Sequence, residues 1–289
     1  LVKLVYAVPY LVYEPAFGST AELTFNRVVS AVFGTLAVLV LALIDPLAGF
    51  FLALDSMVIK YTSEVYLESI PLFTSLLAVF ALRRALRCEK KNGWFWLSAV
   101  AIGAAGAGKY LYLLTGIALL VLFFWQRKPR WVDLLIYLGA AGLAFWAVNP
   151  SLWADPFNRL WQSITFHASY TGGSDVLRAN YPWYQVVNWI TAPVPWHANV
   201  FFFPTTDVLI FILLFFGVVR EARQRPWVLA WMAAAFLALL AWPTKWPQYT
   251  LVLIPAMSLA ASTGVKVIVD RIKEFEATWH WGEAVLPKP

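Results

Sequence analysis

The sequence predicts an all-α fold: a polytopic bundle of about nine transmembrane helices and an extracytoplasmic loop with interfacial helices, one domain over 1–289. Three observations carry that prediction. Apolar residues make up 61% of the chain and charged residues 13%, where a soluble domain averages roughly half and a quarter. The mean hydropathy is +0.67. The basic residues gather in short clusters between apolar runs, as topology selection leaves them in polytopic chains. The formal net charge of +6 is thereby assigned to membrane orientation, and no nucleic-acid partner is expected.

The apolar runs lie at 28–44, 47–66, 69–86, 94–108, 110–126, 131–148, 200–219, 227–243 and 249–269. A helix needs roughly 20 residues to cross about 30 Å of hydrocarbon, so the ends of several are soft. The first run carries no charge. The second is the weakest, because Asp55 and Lys60 interrupt it. The third contains Pro71 and ends in Arg83 and Arg84. In the fourth, Gly103, Gly106 and Gly108 superficially resemble a phosphate loop; inside an apolar run they predict close helix packing. The fourth and fifth meet at Lys109 and could instead be one long broken helix. The sixth carries Asp133, the eighth ends at Trp242-Pro243, and the ninth carries Pro255.

Charge tests the count. Arg83, Arg84, Arg87, Lys90 and Lys91 follow the third run; Arg127, Lys128 and Arg130 follow the fifth. Arg220, Arg223 and Arg225 follow the seventh, and Lys266, Arg271 and Lys273 the ninth. With nine crossings all four clusters fall on one face, which the positive-inside rule makes cytoplasmic. Residues 1–27, the turn near 62–70, Lys109, the segment 149–199 and Lys245 then face outward. The expected location is the plasma membrane of a prokaryote, with the active face extracytoplasmic. The single cysteine, Cys88, has no intramolecular partner and says nothing of redox compartment. No signal peptide is expected, and Leu1 is expected to follow further sequence.

The segment 149–199 is the one long polar stretch. Leu152, Trp153, Phe157, Leu160, Trp161, Ile164 and Phe166 recur at helical spacing around an Asp155-Pro156 start, which predicts an amphipathic helix on the membrane surface. Thr171-Gly172-Gly173-Ser174 predicts a flexible turn. Tyr181, Trp183, Tyr184, Trp189 and Trp196 then form a second interfacial stretch.

Chemistry concentrates on the outward face, at Glu64, Glu68, Lys109, Asp155, Arg159, His167, Asp175, Arg178, His197, Lys245 and Tyr249. The stretch Lys245-Trp246-Pro247-Gln248-Tyr249 is the most informative, because it sets a cation between two apolar runs. A charge at a transmembrane helix centre costs roughly 2.5–3.5 kcal/mol, so such a Lys snorkels to the interface or meets an anion. Lysine binds phosphate as a point charge and arginine binds it bidentately. An aromatic loop offers flat apolar faces to a sugar or an isoprenoid chain. Lys245, Tyr249 and Lys109 are therefore the candidate phosphate-binding residues, with Glu68, Asp155, Arg159 and His167 as further outer-face candidates. Each also has a plain structural reading: Glu64 and Glu68 could cap the helix running into Pro71, the aromatics could form an interfacial belt, and His167 could be a surface histidine. No nucleotide-binding glycine loop, HExxH pair or Cys/His metal spacing occurs, so no metal site and no organic cofactor is assigned, while metal dependence stays open.

Four stretches, in order, resemble one family. RVVSAVFGTLAVLV (27–40) is similar to its R-x-x-S-x-x-x-G helix, and SEVYLESIPLFTSLLAVFALRRA (63–85) to its E-x-P outer turn and the helix after it. GAAGAGKYLYLL (103–114) is similar to its G-x-a-x-x-x-K helix pair, and KWPQYTLVLIPAMSLAAS (245–262) to its K/R-x-x-R/Q-Y-x-L-P-x-x-P segment. NPSLWADPFNRL resembles the opening of its large outer loop. The family is the dolichyl-phosphate-mannose protein mannosyltransferase and aminoarabinose transferase superfamily, membrane glycosyltransferases of the GT-C type. The matching stretches are spread over most of the chain, from 27 to 262. It implies transfer of a sugar from a polyprenyl-phosphate donor to a lipid, glycan or protein acceptor outside the cytoplasm. It implies that Lys245 holds the donor phosphate, with Gln248 where the family often has Arg. It also implies a carboxylate general base in a first outer loop. LVKLVYAVP (1–9) resembles the family's stretch directly after that loop, which places the base and the first span upstream of Leu1; Glu14 and Glu22 fall after the matching point.

Two readings from other classes stand beside this one. A transporter or flippase of a lipid-linked sugar would line a path at mid-depth with polar residues, and only Asp55, Lys60 and Asp133 come near to that. A structural subunit would bind its partner through the aromatic loop and would have no need of Lys245.

Overall fold

The computed structural model describes residues 1–7, 19–87, 93–126, 130–191 and 207–283, and among them all regular structure is helical. After a short helical segment at 2–7, α1 spans Ser19–Ile44. Its stretch Leu23–Ile44, with a mean hydropathy of 2.4, is long and apolar enough to cross a membrane. Shorter apolar helices follow it.

The weakest predicted run is two helices, and the residue that weakened it explains the break. Asp45 ends α1 and accepts from Ala48 N at 3.4 Å, capping α2 (Pro46–Leu54), whose first position is proline. Asp55 repeats the arrangement, accepting from Val58 N at 3.0 Å to cap α3 (Ser56–Ser63). A carboxylate that would be costly inside one helix satisfies the free amides at the start of another.

Next come α4 (Ser69–Ala85) and α5 (Gly93–Gly108). At Lys109 the backbone is extended (φ −161°, ψ 121°), and a 3-10 turn over Tyr110–Leu114 leads into α6 (Thr115–Gln126). The pair around Lys109 is therefore two helices. α7 covers Trp131–Ala147. Within the predicted outer segment, α8 (Pro156–Tyr170) starts behind an Asp155 cap, and α9 (Ser174–Ala179) and α10 (Gln185–Thr191) follow. The last helices are α11 (Asp207–Gln224), α12 (Pro226–Ala241) and α13 (Ile254–Glu283), with a 3-10 turn over Pro247–Val252 between the last two. Cys88, Trp196 and His197 lie outside the described residues.

Small residues set the helix crossings. A Cβ on Gly217 would stand 2.0 Å from Ala260 O, and one on Gly264 would stand 1.9 Å from Leu213 O, so α11 and α13 approach backbone to backbone. Gly103 does the same between α5 and α7, where its Cβ would meet Ala141 O at 2.2 Å. Polar side chains turn inward: Ser30 Oγ donates to Ser69 Oγ at 3.1 Å, and Ser98 Oγ to Ala78 O at 2.8 Å. Large apolar side chains turn outward, with Leu43, Trp131, Leu135, Leu143, Phe215 and Leu237 all more than 60% exposed.

Polar clusters mark the two ends of α4, whose 17 residues measure about 25 Å. At its C-terminal end, Arg83 lies over the Trp227 ring at 5.6 Å. Close by, Asp45 accepts from Ser262 Oγ (2.7 Å), Lys266 Nζ (2.6 Å) and Arg225 Nη1 (3.4 Å). Arg225 also pairs with the fully buried Glu221 and donates to Thr263 Oγ1 at 2.5 Å. Residues from three of the four basic clusters thus meet at one end of the bundle.

Candidate functional site

The other end of α4 gathers the candidate residues. Glu68 occupies the position before α4 but makes no capping bond. Its carboxylate turns inward and is 1% exposed. Oε1 accepts from Lys109 Nζ, and Oε2 is buried without a hydrogen-bond partner. The extended backbone at Lys109 is what aims its side chain across to α4. The same ammonium lies 4.3 Å from the centre of the Tyr249 ring, a cation–π contact. Three candidate residues from distant parts of the chain, Glu68, Lys109 and Tyr249, thus form one cluster.

Phenols and hydroxyls surround it. Tyr6 OH donates to Tyr66 O at 3.1 Å and lies 3.4 Å from Ser69 Oγ. Tyr61 packs edge-on against Tyr66, ring centres 4.9 Å apart. Burial pushes the Glu68 carboxyl up, with Lys109 working against it. Burial likewise pushes Lys109 down, with Glu68 working against that.

In front of Lys109 lies a cavity of about 650 Å³, walled by Lys109, Tyr110, Asn149, Ser163, Gln248 and Tyr249 among others, with Phe166 and Tyr170 of α8 beside it. Residues 1–4 also reach this wall. A second cavity, of about 690 Å³, opens between α5, α6 and α7 and is lined almost wholly by apolar side chains such as Ile102, Leu113, Phe123, Leu134 and Phe145. Tyr110 borders both cavities. Its hydroxyl donates to Ser163 Oγ at 3.1 Å, tying the junction to α8. One helix therefore covers both spaces, through Ser163 and Phe166 over the polar one and Leu160 and Ile164 over the apolar one. Phe157 and Trp161 of the same helix are 88% and 65% exposed.

Lys245 is placed differently from the expectation. It is 7% exposed, and its ammonium donates to Leu239 O (2.7 Å), Leu240 O (2.7 Å) and Trp242 O (2.5 Å). These are carbonyls that the end of α12 leaves without helical partners, so Lys245 caps that end and complements its dipole. Its own carbonyl accepts from Trp189 Nε1 at 2.9 Å. It borders a separate recess of about 170 Å³ with Tyr181 and Trp246. From the same pentapeptide, Trp246, Gln248 and Tyr249 are the residues that reach the larger polar cavity.

Asp155 and Arg159 also have local work. Asp155 accepts from Asn158 N at 3.3 Å as the cap of α8, and Arg159 Nη1 donates to Ser151 O at 2.9 Å, bracing the turn before it. His167 belongs to α8, and its side chain lies outside the described residues. Among the described residues, no group of three or more His, Cys, Asp or Glu is placed to hold a metal ion. Sequence reasoning missed Tyr110, Asn149 and Ser163. The pairing of Lys109 with Glu68 had a signal, since both fall on the outward face beside apolar runs.

Comparison of the chain with known protein families, with curated proteins and with solved structures finds no match in any of the three.

Proposed function

We propose that this chain is an integral membrane glycosyltransferase of the GT-C type that transfers a sugar from a polyprenyl-phosphate donor to an acceptor on the outer face of the membrane. One observation carries the reading: a cavity of mixed polar and apolar lining that holds Lys109 adjoins, at Tyr110, an almost wholly apolar cavity between α5, α6 and α7. That pairing fits an amphiphile with an anionic head and a long hydrocarbon tail. The nine-span reading draws support from the outward apolar side chains, the inward glycines and serines, and the meeting of the basic clusters at one end.

In the proposed reaction the acceptor hydroxyl oxygen bonds to the anomeric carbon as that carbon's bond to the phosphate oxygen breaks. A base takes the hydroxyl proton, and the polyprenyl phosphate leaves with its charge met by Lys109. This moves the phosphate role from Lys245 to Lys109. Tyr249 keeps the Lys109 ammonium at the cavity wall, and the prenyl chain occupies the groove under α8.

The test is binding of a long-chain polyprenyl phosphate to the purified protein in lipid nanodiscs, followed by native mass spectrometry. Gly116 lines the apolar cavity with open space where a Cβ would stand, so Gly116→Trp fills the cavity from a position that tolerates a side chain. Wild type binds the lipid; Lys109→Met weakens binding at least about tenfold; Gly116→Trp loses the long-chain lipid but keeps a short-chain prenyl phosphate. Equal binding by all three proteins would refute the assignment.

A further inference from the structure

We infer, on the reading of the polar cavity as a lipid-phosphate site, that the Glu68–Lys109 pair couples binding to proton uptake. A bound anion draws Lys109 into the cavity, and Glu68, left buried without its cation, takes a proton from water.

The geometry leaves Glu68 few alternatives. It is 1% exposed, one oxygen rests on Lys109 and the other has no hydrogen-bond partner. Lys109 is 20% exposed and lines the cavity, so it touches both the hidden carboxylate and the space a ligand would fill. The other titratable side chains that feel the Glu68 charge among the described residues are Tyr61, Tyr66, Tyr112 and Tyr249. The four phenols are uncharged at neutral pH and cannot compensate a carboxylate. Among the described residues Lys109 is therefore the cation that compensates Glu68. An ionised carboxylate without such a partner in a low-dielectric site neutralises itself by binding a proton. Burial already pushes Glu68 upward, and Lys109 is what restrains it.

Charge and protons balance. The ligand brings negative charge, Lys109 turns toward it, and one proton moves from solvent to Glu68, so the buried charge stays matched. No bond within the ligand changes.

The experiment uses the full chain in nanodiscs and a farnesyl phosphodiester, whose head group does not titrate between pH 6 and 9. Calorimetry in two buffers of different ionisation enthalpy counts protons directly. Wild type is expected to take up about one proton per lipid, and its Kd to rise about tenfold per pH unit on the alkaline side. Glu68→Gln is expected to abolish both the uptake and the pH slope while still binding. Binding by wild type with no proton exchange overturns the inference and leaves the cavity assignment standing; so does an unchanged slope in Glu68→Gln. No binding of the phosphodiester at any pH overturns both. The wild-type proton count holds its meaning even if Glu68→Gln fails to fold.

Discussion

Lys109 and Lys245 both sit where an apolar helix ends, yet their surroundings give them different work. Lys245 commits its ammonium to two carbonyls of the last turn of α12, Leu239 O and Leu240 O, and to that of the capping residue Trp242. Hydrogen bonds to a charged group contribute about 1.5–3 kcal/mol. Lys245→Met is therefore expected to lower the thermal midpoint and cost at least about 1.5 kcal/mol, with polyprenyl-phosphate affinity unchanged. A large loss of lipid affinity at unchanged stability would return the phosphate role to Lys245. Lys109→Met should do the reverse to binding and also strand Glu68. Breaking a buried ion pair from one side costs about 3–5 kcal/mol. The double variant Lys109→Met, Glu68→Gln should recover most of that stability in chemical denaturation and none of the binding.

At the scale of elements, close crossings and end clusters decide stability. Gly264→Ala sets a Cβ against Leu213 O, a backbone atom that moves only if α11 and α13 separate. The expected loss is about 1–3 kcal/mol, against almost none for Gly116→Ala, where the space is open. Thermal unfolding of the pair checks it. Asp45 supplies a pH prediction. Burial raises its carboxyl, but Lys266, Ser262 and Arg225 together outweigh burial and hold it below the usual range. A depressed carboxylate contributes stability above its unfolded value of about 3.9, and that stability is lost as pH falls through the folded value. Unfolding midpoints should drop below about pH 4 in wild type, and this acid limb should flatten in Asp45→Asn.

For the whole molecule, orientation is the quantity to test. The contacts put Asp45, Arg225 and Lys266 at one end of the bundle and Glu68, Lys109 and Tyr249 at the other, in line with the alternation of basic clusters along the chain. Cys88, the single cysteine, stands in one of those clusters. In intact cells it should react with a membrane-permeant maleimide and resist an impermeant one. Ser174→Cys in a Cys88→Ser background should react with both. Labelling of Cys88 from outside would overturn the orientation, and with it the outward placement of the polar cavity.

The sequence alone determined where helices form and where they stop. Over the described residues the apolar runs lie in single helices or closely spaced helical pairs, and Asp55 and Lys109 mark two breaks, whereas Lys60, the other charge in the second run, lies inside α3. Asp155-Pro156 likewise opened α8 as expected. This is legible because a helix is closed by bonds four residues apart, so its start, end and apolar face are local properties. Tertiary structure decided which polar residues act together. Lys245 had the more suggestive motif, but Pro243 and the end of α12 placed its ammonium within reach of three bare carbonyls. Lys109, from a helix break far away in the chain, received the carboxylate, the aromatic ring and the cavity. Burial, partner and cavity depend on segments tens to hundreds of residues apart, and packing alone brings those together.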